Sequence, residues 1–237
     1  RSAYLAHGLM VSRFRICLEL ASKKPKEVAE EEYDRWLRKQ KFANGDAPEV
    51  EKRSRFKKFY KTEREKLSRL KGRRLNPVYE LLRWENGKSI QDHVLRGTRG
   101  NKEKFPVVPD GFFHLRFPSR SEVNKNSYFF FEADRNTMSQ DRFLKKLKAY
   151  WWLSRREAKE GLKKRLGMDD FRVITVTTDE RRVENLVEVS KQADPKERGS
   201  SMFLFTEESN YSLEEPKSIL ERIFVTPVNE DKQSILE

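Results

Sequence analysis

The stretch S-Y-F-F-F-E-A-D, Ser127 to Asp134, is the part of this chain that decides how the rest is read. Its aromatic run has the composition of a buried strand. Side chains alternate along a strand, so Tyr128, Phe130, Glu132 and Asp134 share one face and Phe129, Phe131 and Ala133 the other. Two carboxylates therefore close an apolar strand on one side. Buried and unpaired they are costly, so the stretch predicts a cation beside them.

Working outward, Val107–Phe117 (VVPDGFFHLRF) reads as a strand that begins around a Pro-Asp-Gly kink. Val78–Glu85 (VYELLRWE) reads as another, stopped by the turn pair Asn86-Gly87. The polar stretch Lys88–Lys104, with Gly97 and Gly100, reads as a loop. The three strands form an antiparallel meander. A long helix follows, capped by Thr137 or Ser139, with Asp141 in its first turn, running to about Lys164. Phe171–Thr178 is a fourth strand, joined through a right-handed crossover. A helix over Glu180–Gln192 and a strand over Ser201–Thr206 come next, and Tyr211–Glu237 reads as a loosely ordered tail with a short helix near Ser218–Arg222.

Before the strands, His7–Ser22 is an amphipathic helix with Leu9, Met10, Phe14, Cys17, Leu18 and Ala21 at helical spacing. Glu27–Phe42 is a polar helix. Glu49–Lys71 is a basic one with a narrow stripe of Phe56, Phe59, Tyr60, Leu67 and Leu70. The expected fold class is α/β (α+β): an αβββαβ core with a mixed sheet flanked by helices, read as one domain over 1–237. It carries a basic helical insertion over 23–74 and an acidic tail over 207–237.

The 237 residues hold 51 Lys+Arg against 38 Asp+Glu, a net charge of +13. The excess is local. Residues 51–74 carry 12 Lys/Arg and 3 Glu, and residues 135–166 carry 11 Lys/Arg and 3 Asp/Glu, whereas residues 194–237 carry 5 and 10. Such asymmetry is the footprint of a polyanion partner, most commonly a phosphate backbone. Lys52, Arg53, Arg55, Lys57, Lys58, Lys61, Arg73 and Arg74 in the first block, and Arg135, Lys145 and Lys148 in the second, are the candidate nucleic-acid contacts. Neither block has the broad apolar face of a membrane-surface helix, and no apolar run approaches the roughly 18–20 residues of a membrane span. The single cysteine, Cys17, excludes an internal disulfide and any Cys-rich zinc site, and its apolar neighbours mark it as a core thiol. A chain that opens on Arg1 rather than Met reads as a piece of a longer protein.

Asp110, at the start of the second strand, is placed by the meander near Glu132 and Asp134. Three carboxylates a few ångströms apart suit Mg²⁺ or Mn²⁺, and such an ion serves phosphodiester hydrolysis. The competing reading is a set of salt bridges to Arg135, Arg142 or Lys146. On the following helix, Phe143, Leu144, Leu147, Tyr150 and Trp151 form the buried face. Lys146 lies at the border of that face and can reach back over the sheet, or snorkel over apolar surface. Lys145 points away.

These residues resemble the replication-relaxation family of bacterial plasmids and integrative elements. The family pattern is Pro-Asp before a hydrophobic strand, Glu-x-Asp-Arg-x-Thr, a helix with Lys-x-x-x-Tyr, and a strand ending in Thr-x-x-x-Arg. Pro109, Asp110, Glu132, Asp134, Arg135, Thr137, Lys146, Tyr150, Thr178 and Arg182 (or Arg181) match it. His7 resembles the family's His-led helix, and Trp84-Glu85 its Trp-x-x-Glu strand end at a shorter spacing. The resemblance implies a role in plasmid replication or DNA relaxation, in the bacterial cytoplasm, with DNA and replication or mobilisation proteins as partners. The αβββαβ order and Pro-Asp…Glu-x-Asp are also similar to the PD-(D/E)xK nucleases, where a lysine stands two residues after the metal-binding acid. Here that position is Asp134, so Lys146 takes the role from the adjacent helix, Asp134 is a further ligand, or activity is lost. Three functions follow: a metal-dependent DNA endonuclease or nickase using Asp110, Glu132, Asp134 and Lys146; a non-catalytic DNA-binding protein on the same scaffold; and an interaction module whose acidic tail mimics DNA.

Overall fold

The computed structural model describes residues 2–23, 25–43, 48–68, 79–98, 101–168 and 170–237. Its elements run α1 (Ser2–Ser22), α2 (Pro25–Ala43), α3 (Glu49–Ser68), β1 (Glu80–Asn86), β2 (Asp92–Thr98), β3 (Asn101–Val107), β4 (Gly111–Arg116), β5 (Asn126–Ala133), α4 (Gln140–Leu153), α5 (Arg156–Leu166), β6 (Arg172–Thr177), α6 (Glu180–Lys191), β7 (Phe203–Glu207), β8 (Phe224–Thr226) and β9 (Asn229–Gln233). Seven strands form one mixed sheet in the order β1-β4-β5-β6-β7-β8-β9, and β2 and β3 form a separate pair. The expected meander is present: β4 lies antiparallel between β1 and β5. The crossover through α4 and α5 sets β6 parallel to β5, with Glu132 opposite Thr175.

The alternation of β5 divides the core. Phe129, Phe131 and Ala133 face α1, whose Met10, Phe14, Cys17, Leu18 and Ala21 form one continuous stripe. Leu9, expected in that stripe, is 60% exposed and lies off it. Burial pushes the Cys17 thiol up to about 11, as suits a core residue. On the other face, Phe130 packs with Phe143, Leu147 and Tyr150 of α4, Leu162 of α5 and Leu186 of α6.

Three expectations are corrected. The supposed loop 88–104 is mostly the β2–β3 hairpin, paired from Asp92↔Val107 to Thr98↔Asn101. A two-stranded ribbon needs only a few apolar anchors, here Val94, Phe105 and Val107, too few to register as strand periodicity. The long helix is two helices: Ser154 closes α4 through its N–H to Tyr150 O, Arg155 is extended, and α5 then runs through Gly161 to a left-handed Gly167. The break folds Leu162 and Met168 back onto the face that holds Leu153. The 207–237 segment is no loose tail. Ile219, Leu220, Phe224, Ile235 and Leu236 are buried in the α1-side core, and β8 and β9 extend the sheet. Their apolar side chains come as doublets between charged residues, and doublets show no helix or strand period.

The insertion is a helical hairpin. Tyr33 of α2 meets Trp36 and Phe56, and Arg55 of α3 stands over the Trp36 ring. Two ion pairs tie it to the α1 side of the sheet: Lys23–Glu31 at 2.6 Å and the buried Glu63–Lys217 at 2.7 Å. The described part of the basic block ends at Ser68, so Arg73 and Arg74 lie outside the described residues. No described helix is long and apolar enough to cross a membrane.

Candidate functional site

The site gathers at the carboxyl end of β5. Asp110 sits immediately before β4, and the chain is held there by its N–H to Phe131 O at 3.0 Å. Its Oδ2 accepts the Ala133 N–H at 2.8 Å and lies 3.2 Å from His7 Nε2. Gly87 makes the approach possible, donating its N–H to Asp110 O while a Cβ there would overlap Pro109 O. His7 reaches Asp110 because it continues the buried stripe of α1 one turn before Met10.

Glu132 points to the opposite face, under α4. Lys146 Nζ donates to its Oε2 and Tyr150 OH to its Oε1. The i,i+4 spacing of Lys146 and Tyr150 sets both on one side of α4. Burial raises the Glu132 pKa from 4.5 to about 7; Lys146 opposes the shift and Asp110 adds to it. Burial works against the Lys146 charge, but Glu132 and Asp110 outweigh it, so its pKa rises above the ordinary value. Burial, then Glu132, lifts Tyr150 well above the usual phenol range.

Asp134 is engaged elsewhere. Arg182 of α6 grips it with Nε to Oδ2 at 2.8 Å and Nη2 to Oδ1 at 3.2 Å. Thr177 Oγ1 adds a bond to Oδ2 at 3.1 Å. The Asp134 and Arg182 side chains are 3% and 7% exposed. The cation answering Asp134 is thus Arg182. Arg135 pairs with Glu208 at 3.5 Å. Among the described residues no three His, Cys, Asp or Glu side chains are grouped as a metal-holding set. Asp110 adds to the burial that disfavours the Glu132 charge, while both Glu132 oxygens are held by Lys146 and Tyr150 and Asp134 is spent on Arg182.

Of the basic candidates, Lys145 is exposed and Lys148 half-buried on α4. Arg53, Lys57, Lys58 and Lys61 are exposed on α3, while Lys52 and Arg55 are partly covered. Several are already paired within the helix: Lys52 and Arg53 with Glu49, Lys61 with Glu65. The hairpin meets α1 at the Leu20–Lys23 end. At 1.5 Å per residue that is about 24 Å from His7. A cleft of about 670 Å³, with Arg120, Tyr128 and Arg172 in its lining, sits at the far end of β5 and β6 and shares no residue with the cluster.

The family model for replication-relaxation proteins matches residues 1–167, more than half of the chain. The chain belongs to the replication-relaxation family. The replication-relaxation match takes in α1 to α5 and with them Asp110, Glu132, Asp134 and Lys146, while β6, α6 and Arg182 fall beyond it. Comparison with curated proteins and with solved structures gives no match. Sequence periodicity alone passes over His7 and Arg182 and reads Tyr150 only as a core residue, not as a partner of Glu132; the family pattern carries all three. It also points at Thr178, but that hydroxyl bonds Asp179, and Thr177 is the residue on Asp134.

The raised Glu132 pKa has a sign. Between pH 4.5 and about 7 the folded protein binds this proton more tightly than the unfolded chain, so stability falls as pH rises through that window. The change is up to about 3 kcal/mol. Denaturant unfolding of the wild type and Glu132→Gln across this range should give a difference that shrinks toward low pH and widens toward pH 7. Parallel curves would show that Glu132 keeps an ordinary pKa.

Proposed function

We propose that this protein acts on DNA in the replication or relaxation of a bacterial plasmid or other mobile element, and that Asp110, Glu132 and Lys146 form a phosphodiester-processing site. The observation that carries the reading is the convergence of Lys146, from the helix after the strand, on a buried Glu132 beside Asp110. The order α1, β1, β4, β5, α4, β6 supports it, being αβββαβ with the α2–α3 and β2–β3 hairpins inserted and α5 added after α4. The chain is read as one unit over 1–237.

Asp110 and Glu132 are the residues that would hold Mg²⁺ or Mn²⁺, which when bound polarises a phosphoryl oxygen and acidifies water. Lys146 supplies positive charge where a phosphate would lie. Tyr150 fixes the rotamer of Glu132, and His7 and the Ala133 N–H fix Asp110. Asp134 and Arg182 brace the strand end. The basic surfaces of α3 and α4 would hold the DNA backbone without reading sequence, so binding should weaken steeply with salt.

A second reading, a non-catalytic DNA-binding protein acting in replication initiation or partner recruitment, is favoured by one observation. Both Glu132 oxygens already have protein partners. Supercoiled plasmid incubated with Mg²⁺ or Mn²⁺ separates the two. The enzyme reading expects nicking that falls at least 100-fold in Asp110→Ala, Glu132→Ala and Lys146→Ala, with DNA binding kept. Binding without metal-dependent cleavage of supercoiled, linear and single-stranded DNA would leave the non-catalytic reading standing.

A further inference from the structure

The two basic surfaces lie on opposite sides of the sheet. Residues of α3 are anchored through Glu63 to Lys217, in the turn whose Ile219 and Leu220 join the α1-side core. Residues of α4 pack on the other face, with Phe130 and Tyr150. The inward side of α3 is Phe56, Phe59 and Glu63, so Arg53, Lys57, Lys58, Lys61 and Arg64 point outward. On α4, Arg142 and Lys145 are exposed beside the half-buried Lys148. Each surface has mixed neighbours: α2 beside α3 exposes Arg35, Arg38 and Lys39 as well as Glu31 and Asp34, and α4 lies between α5, with exposed Lys163 and Lys164, and α6, with exposed Glu184 and Glu188.

With α3 seated on the α1 side through Lys217 and α4 packed on the opposite face, the sheet and its helices separate the two basic surfaces by roughly 30 Å. Duplex DNA has a persistence length of about 150 bp, and bending it around an object of that size is costly. One unbent duplex segment therefore does not reach both surfaces. We propose that the protein holds two DNA segments at once, one against the outer face of α3 and the other against α4, beside the carboxylate cluster. The proposal rests on the DNA-binding reading above and adds a second, separable contact to it. It gives the α2–α3 hairpin, about 24 Å along α1 from the cluster, a task of its own: tethering a segment other than the one at the site.

Capture of a second duplex tests it. One duplex is fixed to beads, the protein is added, and retention of a differently labelled, unrelated duplex is read at low salt. Two variants are compared, Lys57→Glu/Lys58→Glu/Lys61→Glu on α3 and Arg142→Glu/Lys145→Glu/Lys148→Glu on α4, with unchanged thermal melting as the folding check. The wild type should retain the second duplex. Each variant should still bind one duplex, with affinity reduced about 10-fold or less, while losing capture at least 10-fold. A mixture of the two variants should not restore capture, because both surfaces must stand on one molecule. Restored capture would place the second surface on another copy and overturn the proposal, as would one-duplex binding by the wild type without capture. Loss of all binding in one variant with no effect in the other would overturn it too, assigning DNA to one surface. If the wild type binds no duplex at all, the DNA reading itself fails and takes the proposal with it.

Discussion

Arg182→Ala should lower the unfolding free energy by about 3–5 kcal/mol, the range seen when one partner of a buried ion pair is removed. The reason is the carboxylate left behind rather than the bond lost. Asp134 is 3% exposed and its Oδ1 and Oδ2 are both aimed at the guanidinium. The remaining donors, Thr177 Oγ1 and the Asn136 N–H, are neutral partners for a buried charge. Asp134→Asn in the Arg182→Ala background should recover part of the stability, because the uncompensated charge is gone. Equal destabilisation in the single and double variants, measured by urea unfolding, would show that the pair is not coupled. The same result bears on function. An Asp134 that stabilises the fold at this magnitude is a brace of the site and not one of its metal ligands.

Glu63→Ala should be nearly as costly where it acts, but it should act locally. Glu63 and Lys217 are 5% and 9% exposed and meet at 2.7 Å. Removing Glu63 leaves a buried ammonium against the 213–217 segment, again about 3–5 kcal/mol. Much of this can be relieved if α3 swings away and water reaches Lys217. Hydrogen exchange should therefore accelerate across 49–68 and around 211–220, with β4, β5 and β6 keeping their protection. Lys217→Met in the same background should restore protection, since an apolar side chain of similar length replaces the stranded charge. Uniform acceleration through the central strands would mean that the ion pair supports the whole fold rather than the seating of the insertion.

Much of this architecture was legible because the central strands are strongly apolar. The aromatic run 127–134 marks β5, and its alternation correctly puts Glu132 and Asp134 on the face of α4 and α6, away from Phe129 and Phe131. The Lys146 register on α4 was legible for the same reason: a helix with Phe143, Leu147 and Tyr150 inside leaves it at the border, and it ends on Glu132. What stayed hidden depends on partners far away in the chain. Arg182 lies 48 residues from Asp134, and Lys217 lies 154 residues from Glu63. Local periodicity carries no information on such pairings. The 211–237 segment misled because its charge is on the surface of a segment whose apolar doublets are in the core. The +13 net charge marked two basic helices but not their disposition, because a count along the chain is blind to which face of the sheet each helix covers.

Asp110 and Glu132, with Lys146, are proposed as the working end of the protein. Anomalous diffraction from crystals grown with Mn²⁺ tests this. One strong anomalous peak is expected within coordination distance of both Asp110 and Glu132, with Lys146 released from one Glu132 oxygen and the Asp134–Arg182 pair intact. The peak should disappear in Asp110→Asn. Crystals at saturating Mn²⁺ with no peak between these carboxylates, and Lys146 and Tyr150 still bound to Glu132, would contradict it.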